Sequence, residues 1–304
     1  DASKINYVSN DDTHQPTELD TWLHNNFTVP YNIQVKYRWD ATEADISKVL
    51  VPPAVDKVQS VMDVVKKVWI DPYVTMAGGT FIKKLCPKQF VLVGSASYNF
   101  DGSITLGTAE GGRKVVLYVV NDFVKTDQFQ VKQMMHTIEH EFGHILHQNI
   151  MYPAEYKQIT PSYTATWNLI SLGEARSRGF ITSYAMSGVD DDFVEMISIM
   201  LVEGKEGYEQ ILACETNETS KALLRRKEQI IVKYFKDAFN IDFYGLQTKV
   251  QEAINAIAPP DGDEVMPPVY DIWGFDKPAK SLRFDVSFYN YPTKFMELFI
   301  EDYQ

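Results

Sequence analysis

The amino-acid sequence predicts an α/β (α+β) fold, with a mixed sheet in its N-terminal part and a mostly helical C-terminal half. Short apolar or alternating runs bounded by turn residues, which are typical of strands, fall before about residue 127. Longer stretches with apolar residues three and four positions apart, which are typical of helices, follow it. The 304 residues are enough for one large domain or two joined subdomains with a substantial core.

Three strands and one helix are predicted in the N-terminal part. The strands show alternation or continuous apolar runs, and the helix opens on Pro-Pro and has an apolar inner face. The predicted strands are 31–39, 90–93 and 115–120, and the predicted helix is 54–69. Between the last two strands, Asp101-Gly102 and Gly111-Gly112 are typical of hairpin turns.

Helical apolar spacing recurs along the C-terminal half of the chain. The predicted helices are 128–151, 190–202, 219–239 and 243–257. We place one domain at 19–258, with its sheet-containing part ending at about residue 127. A mobile N-terminal segment is expected at 1–18, because its residues are polar. A C-terminal extension that packs on the core is expected at 259–304.

Charge and cysteine content exclude several classes of function. The net charge is −12, from 41 acidic and 29 basic residues, which argues against nucleic acid or an anionic membrane surface as a partner. The two cysteines, Cys86 and Cys214, do not form a C-x-x-C pair, so a cysteine zinc site is excluded. The sequence leaves open whether they are bonded to each other, and it leaves the oligomeric state open as well.

One stretch, 136–147, holds four of the six histidines and contains the pattern H-E-x-x-H. His140 and His144 are four residues apart, so on a helix both imidazoles lie on one face and can bind one zinc ion. Glu141 lies about 100° round the helix from His140, where its carboxylate can take a proton from zinc-bound water. A core helix whose histidines only form hydrogen bonds is the alternative, but burying this group without a ligand is costly.

A zinc site needs a third protein ligand, and no histidine follows His147. His147 is one candidate, although on an unbroken helix it lies about 4.5 Å beyond His144. The other candidates are carboxylates on the helix predicted at 190–202, where Asp191 and Glu195 share one face. One acid can bind zinc while the other holds a ligand histidine. Acids at this position equally fit a solvated helix N-terminus.

The spacing of three residues near that helix resembles the gluzincin peptidases, including the catalytic domains of anthrax lethal factor and the clostridial Pro-Pro endopeptidases. In those enzymes a tyrosine precedes a zinc-binding glutamate by seven residues, and a second acid follows four residues later. Tyr184, Asp191 and Glu195 have this spacing, with aspartate in place of the ligand glutamate.

Over roughly residues 19–205 the chain also resembles the zinc-binding metallopeptidase lipoproteins of Bacteroidetes. The matching parts are 27–32, 107–113, 179–182 and the H-E-x-x-H-x-x-H helix. This resemblance implies a zincin-like fold. It also implies an extracytoplasmic protein, in the periplasm or at the outer-membrane surface, with a lipid anchor on the full-length protein.

Motif and resemblance together predict a zinc-dependent metallopeptidase that acts on a peptide or protein substrate. Zn²⁺ is expected to be bound by His140, His144 and Asp191. Glu195 and His147 are expected either to support a ligand histidine or to replace Asp191 as the third ligand.

The expected chemistry is hydrolysis of a peptide bond by water that Glu141 activates. Because no histidine follows His147, the hydroxyl of Tyr184 is expected to stabilise the oxyanion. A strand near 114–120 is expected to be exposed and to bind the peptide by strand addition. The alternative function is a non-catalytic zinc-containing binding or scaffold protein of an outer-membrane glycan-uptake system. Glu141 favours the enzyme, since a structural zinc site has no use for a general base.

Overall fold

The structure is a computed structural model that describes residues 15–38, 48–98, 104–105, 107–110 and 114–260. Four sequence predictions fall wholly or mostly outside these ranges. They are the turns at Asp101-Gly102 and Gly111-Gly112, the segment 1–18, and the extension 259–304. At the described end of the N-terminal segment, the Thr17 hydroxyl accepts the Asp20 N–H and caps a helix that begins at Glu18.

A mixed sheet forms the N-terminal part of the fold, as predicted. The strands are β1 (Gln34–Lys36), β2 (Gln89–Leu92), β3 (Ser97–Tyr98), β4 (Ile104–Thr105), β5 (Gly107–Glu110) and β6 (Lys114–Leu117). Four of them pair in the order β1–β2–β6–β5, with β1, β2 and β6 parallel and β5 antiparallel to β6. β3 and β4 form a separate antiparallel pair. The strands around both predicted hairpin turns are therefore antiparallel neighbours.

The strand predicted at 115–120 is central rather than exposed. β6 pairs with β2 on one side and with β5 on the other, so its backbone groups are already used. It also ends at Leu117, because Val119 has a φ of 63° and the chain then enters a 3₁₀ turn. The expectation that this strand accepts a peptide is therefore wrong. Within the described sheet, β5 lies at the edge on this side.

Helices form most of the remaining described structure. They are α1 (Glu18–Leu23), α2 (Val29–Tyr31), α3 (Val55–Val64), α4 (Asp71–Ala77), α5 (Gly79–Leu85), α6 (Gln128–Asn149), α7 (Leu172–Ser177), α8 (Val189–Cys214), α9 (Glu218–Phe239) and α10 (Phe243–Ile257). Wider π turns join α1 to α2 and α3 to α4 without a break. The predicted bounds of α6, α9 and α10 are correct to within two residues, while α1, α2, α4 and α5 were not predicted.

The range Val189–Cys214 of α8 joins two helices across a break, and the first of them ends close to the predicted end at 202. Gly204 has a φ of 70°, and helix follows on both sides of it. The backbone carbonyls of residues 200–202 accept hydrogen bonds from the side-chain amides of Gln247 and Gln251 on α10. These contacts satisfy carbonyl groups at the end of the first helix, which have no partner within that helix.

α6 lies in the centre of the core and packs against α8. On one side, Phe142 makes edge contacts with Trp69 and Tyr73, at ring-centroid distances of 5.2 and 5.0 Å. On the other side, a Cβ at Gly143 would lie 2.8 Å from Cγ1 of Val194. The glycine therefore permits a close approach of α6 and α8 that a larger residue would prevent.

Cys86 and Cys214 are free thiols, the first buried and the second exposed, so they are not bonded to each other. Among the described helices, none combines the length and the apolar character that a membrane span requires.

Candidate metal centre

The crossing of α6 and α8 brings two histidines and one aspartate together. His140 Nε2 and His144 Nε2 lie 3.2 Å apart. Asp191 Oδ1, in the first turn of α8, lies 3.5 Å from His144 Nε2 and 4.0 Å from His140 Nε2. Within the described residues, these three side chains are the group that could hold a metal ion.

The separations and the donor atoms fit zinc. Three atoms this far apart can each lie about 2.0–2.2 Å from one ion, the usual Zn–N and Zn–O distances. Two imidazole nitrogens with one carboxylate oxygen are a typical set for a catalytic site that keeps a fourth position open. His144 and Asp191 retain 21% and 27% of their side-chain exposure, so solvent can reach the group. The close packing at Gly143 puts the short Asp191 side chain within reach.

Asp191 is held as a carboxylate. Burial alone would raise its pKa, but hydrogen bonds with His144 and Ser187 and the nearby His140 lower the pKa below its ordinary value. The Ser187 hydroxyl donates to Asp191 Oδ2 at 2.7 Å. One carboxylate oxygen is therefore fixed by this bond, and the other faces the histidines.

Glu195 lies one turn further along α8 and behind His140. Its Oε1 is 2.8 Å from His140 Nδ1 and 2.9 Å from His136 Nε2, and its Oε2 accepts a hydrogen bond from Thr182 at 2.7 Å. Burial acts to raise the pKa of Glu195, but His136 and His140 lower it well below the ordinary value. An ionised carboxylate can only accept, so His140 donates from Nδ1 and keeps a lone pair on Nε2.

His147 lies behind His144. Its Nε2 is 3.0 Å from His144 Nδ1, and its side chain is 3% exposed. The three grouped atoms belong to His140, His144 and Asp191, so the structure places both Glu195 and His147 outside the group. Each of them contacts the Nδ1 side of one grouped histidine instead.

Tyr184 and Glu141 are both partly buried, and Tyr184 lies beside His140. Tyr184 lies in a 3₁₀ turn before α8, and its ring centroid is 5.5 Å from that of His140. Burial, together with the carboxylates of Asp191, Glu195 and Glu141, raises the pKa of Tyr184 above its ordinary value. The phenol is therefore protonated at neutral pH and can act as a hydrogen-bond donor.

The three aspartates that open α8 have three different surroundings. Asp190 accepts a hydrogen bond from Tyr152, Asp191 faces the histidines, and Asp192 is fully buried against Lys227. A solvated helix N-terminus does not describe this arrangement.

Sequence reasoning assigned no role to His136, Thr182 or Lys227. His136 could have been recognised, because it lies four residues before His140 and thus on the same helix face. Thr182 lies in the matching segment 179–182, whereas Lys227 carries no comparable signal.

Comparison with known proteins agrees with the geometry. Residues 12–244 match the profile of a protein family described as "putative zinc-binding metallo-peptidase". This chain belongs to that family. A solved structure from Bacteroides caccae ATCC 43185, described in the same words, is 32% identical to the chain, with a TM-score of 0.70. The match covers 83% of this chain and 98% of that one. Comparison with curated proteins finds no significant match.

Membership of this metallopeptidase family confirms the resemblance that the sequence suggested. The shared structure also confirms the predicted zincin-like α/β fold.

Proposed function

We propose that this protein is a zinc-dependent metallopeptidase whose metal is held by His140, His144 and Asp191. The observation that supports this most is the separation of their three donor atoms, 3.2, 3.5 and 4.0 Å, on a group that solvent can reach. Glu141 follows His140 on the same helix, as a general base beside the metal requires.

The other residues of the site have distinct tasks in this proposal. Zinc, when bound, would polarise the substrate carbonyl and lower the pKa of a bound water. The Glu141 carboxylate accepts the proton of that water and then delivers it to the leaving amine nitrogen. The Tyr184 hydroxyl donates to the oxygen that gains negative charge at the scissile carbonyl. Glu195 keeps the lone pair of His140 on the metal-facing Nε2.

We further propose that the peptide substrate lies along β5. This strand is one of the two edges of the described sheet and packs near α6, and its outer backbone groups are not used by β6. An extended peptide can add to such an edge through main-chain hydrogen bonds. Such a peptide would lie next to α6, the helix that carries His140 and His144.

A peptide library tests the proposal. The zinc-loaded protein is incubated with unstructured peptides of random sequence, and new N-termini are identified by mass spectrometry. We expect cleavage at defined positions that stops when a chelator removes the metal and returns when zinc is added. Full zinc occupancy without cleavage of any peptide would contradict the proposal and favour a binding or scaffold protein.

The same library tests the position of the substrate. Methylation of single backbone nitrogens in a cleaved peptide removes one donor at a time. A substrate that pairs with β5 should lose cleavage when alternate nitrogens are methylated. Equal tolerance at all positions would contradict pairing with this strand.

A further inference from the structure

A row of hydrogen-bonding atoms runs along α6 through three histidines. Glu195 Oε1 lies 2.8 Å from His140 Nδ1, and His140 Nε2 lies 3.2 Å from His144 Nε2. His144 Nδ1 in turn lies 3.0 Å from His147 Nε2. Every contact in this row requires one donor and one acceptor.

The number of protons on the three imidazoles restricts which nitrogen of each ring can carry one. A neutral imidazole carries one N–H, so each ring donates from one nitrogen and accepts at the other. Glu195 only accepts, which fixes the His140 proton on Nδ1. When no metal is bound, His144 therefore carries its proton on Nε2, which faces the lone pair of His140 Nε2 and the Asp191 carboxylate. His144 Nδ1 is then an acceptor, and His147 must donate to it from Nε2.

Zinc changes the second half of this row. A metal on His144 Nε2 requires the lone pair of that nitrogen, so the proton of His144 moves to Nδ1. His144 then donates to His147 Nε2, and His147 carries its own proton on Nδ1. A doubly protonated His147 would leave two donors facing each other at 3.0 Å, so the neutral ring is required.

The surroundings of His147 do not favour a proton on its Nδ1. Its Nδ1 is buried and has no hydrogen-bond partner within the described part of the chain. The ring packs against Tyr152 and Phe193, at centroid distances of 5.6 and 6.4 Å. A buried N–H without an acceptor is unfavourable, so the Nε2–H form of His147 is preferred until a metal imposes the other.

We propose that zinc binding reverses the hydrogen bond between His144 and His147, and that His147 is the positioning residue for His144. By accepting at Nε2, His147 holds the imidazole of His144 with its lone pair toward the metal. This inference rests on the zinc site of the proposed function, but it does not depend on cleavage of any substrate.

Nuclear magnetic resonance can observe the reversal directly. Long-range ¹H–¹⁵N spectra distinguish an imidazole protonated on Nδ1 from one protonated on Nε2. We expect His147 to be the Nε2–H tautomer without metal and the Nδ1–H tautomer after one equivalent of zinc. His140 should be Nδ1–H in both states, and the exposed His24 should not change. The same His147 tautomer in both states would overturn the inference.

Two substitutions test the positioning role through metal affinity. Glutamine places its carbonyl oxygen close to the position of Nε2, whereas leucine has similar bulk and no acceptor. His147→Leu should weaken zinc binding about 10–100-fold, and His147→Gln should recover most of that loss. Thermal melting without metal checks that both variants fold.

The outcomes separate this inference from the proposed function. If the wild type binds zinc and His147→Leu binds it equally tightly, His147 has no positioning role while the zinc site stands. If the wild type binds no zinc, the proposed function and this inference both fail.

Discussion

The Lys227 ammonium lies 2.7 Å from the Asp192 carboxylate, and both side chains are fully buried. Lys227 also donates to the backbone carbonyl of Gly179 at 2.8 Å and lies 4.3 Å from the centre of the Phe180 ring. The pair thus joins α9 to the first turn of α8 and to the segment that leads to Tyr184. Because Asp191 directly precedes Asp192, we infer that this ion pair fixes where Asp191 lies.

Replacing Lys227 with methionine should therefore affect both stability and metal binding. A buried carboxylate left without its partner typically costs about 3–5 kcal/mol of unfolding free energy. Zinc affinity should fall as well, since Asp191 loses its support. Urea denaturation and zinc titration measure the two effects.

The matched control is Lys233→Met on the same helix. Lys233 is 71% exposed, and a surface ion pair contributes about 0–1 kcal/mol. Adding Asp192→Asn to Lys227→Met should restore part of the stability, because it removes the unpaired charge. Equal stability of Lys227→Met and Lys233→Met would refute the structural role of the pair.

Zinc affinity in three variants should separate the roles of the acids on α8. Asp191→Ala should weaken binding more than Glu195→Ala, for which about 10–100-fold is expected of a residue that supports a ligand. Asp190→Asn is the neighbouring control and should change affinity least, because Asp190 contacts Tyr152 instead. If Glu195→Ala loses more zinc affinity than Asp191→Ala, then Glu195 is the metal ligand and Asp191 is the supporting residue.

Tyr184→Phe should leave zinc affinity and folding unchanged while kcat falls by about 10²–10³, the usual effect of losing one oxyanion donor. The raised pKa of this phenol keeps the proton available for donation over the neutral range. Steady-state kinetics on a peptide from the library provides the measurement. Wild-type kcat in the variant would make Tyr184 a packing residue beside Trp167, whose ring lies 4.9 Å away.

Glu139 gives the free energy of unfolding a pH dependence that is independent of catalysis. This carboxyl is fully buried, accepts a hydrogen bond from Tyr73 at 2.7 Å, and has a pKa that burial raises from 4.5 to about 8. Since the pKa is raised in the folded state, the unfolded chain loses the proton first. Below about pH 4.5 Glu139 is protonated in both states, and its contribution to the free energy of unfolding is complete. Between about pH 4.5 and pH 8 that free energy falls by about 1.4 kcal/mol for each pH unit.

Glu139→Gln removes this titration and tests it. The variant and the wild type should have similar stability near pH 4.5, and the variant should be the more stable one at pH 8. Urea denaturation across this pH range shows the difference, with the exposed Glu155→Gln as the control. A constant difference between Glu139→Gln and the wild type at all pH values would contradict a neutral Glu139.

Local patterns explain what could be predicted from the sequence. The spacing of His140 and His144 on a proline-free helix depends only on helix geometry, and α6 has the predicted form. The choice of Asp191 as the acid that faces the histidines came from the resemblance to the gluzincins, through its spacing from Tyr184. The exposed-strand prediction failed because an apolar strand can be central or at an edge, and its neighbours decide which. β5, with only four residues, gives almost no strand signal.

Contacts between distant segments explain what could not be predicted. Asp191 and Glu195 share a helix face. The close crossing of α6 and α8 at Gly143 and Val194 places Asp191 beside the Nε2 atoms of the histidines and Glu195 at Nδ1 of His140. In the sequence, Lys227 is indistinguishable from other lysines of an amphipathic helix, and its buried position depends on how α9 packs against α8. No single-sequence pattern reports such crossings.

The most direct test of the account combines metal analysis with cleavage in Glu141→Gln. The account predicts that the variant retains one equivalent of zinc and cleaves the library-derived peptide at least about 100-fold more slowly than the wild type, because it lacks the general base. Cleavage at the wild-type rate by the zinc-loaded variant would contradict the central claim that Glu141 activates the water.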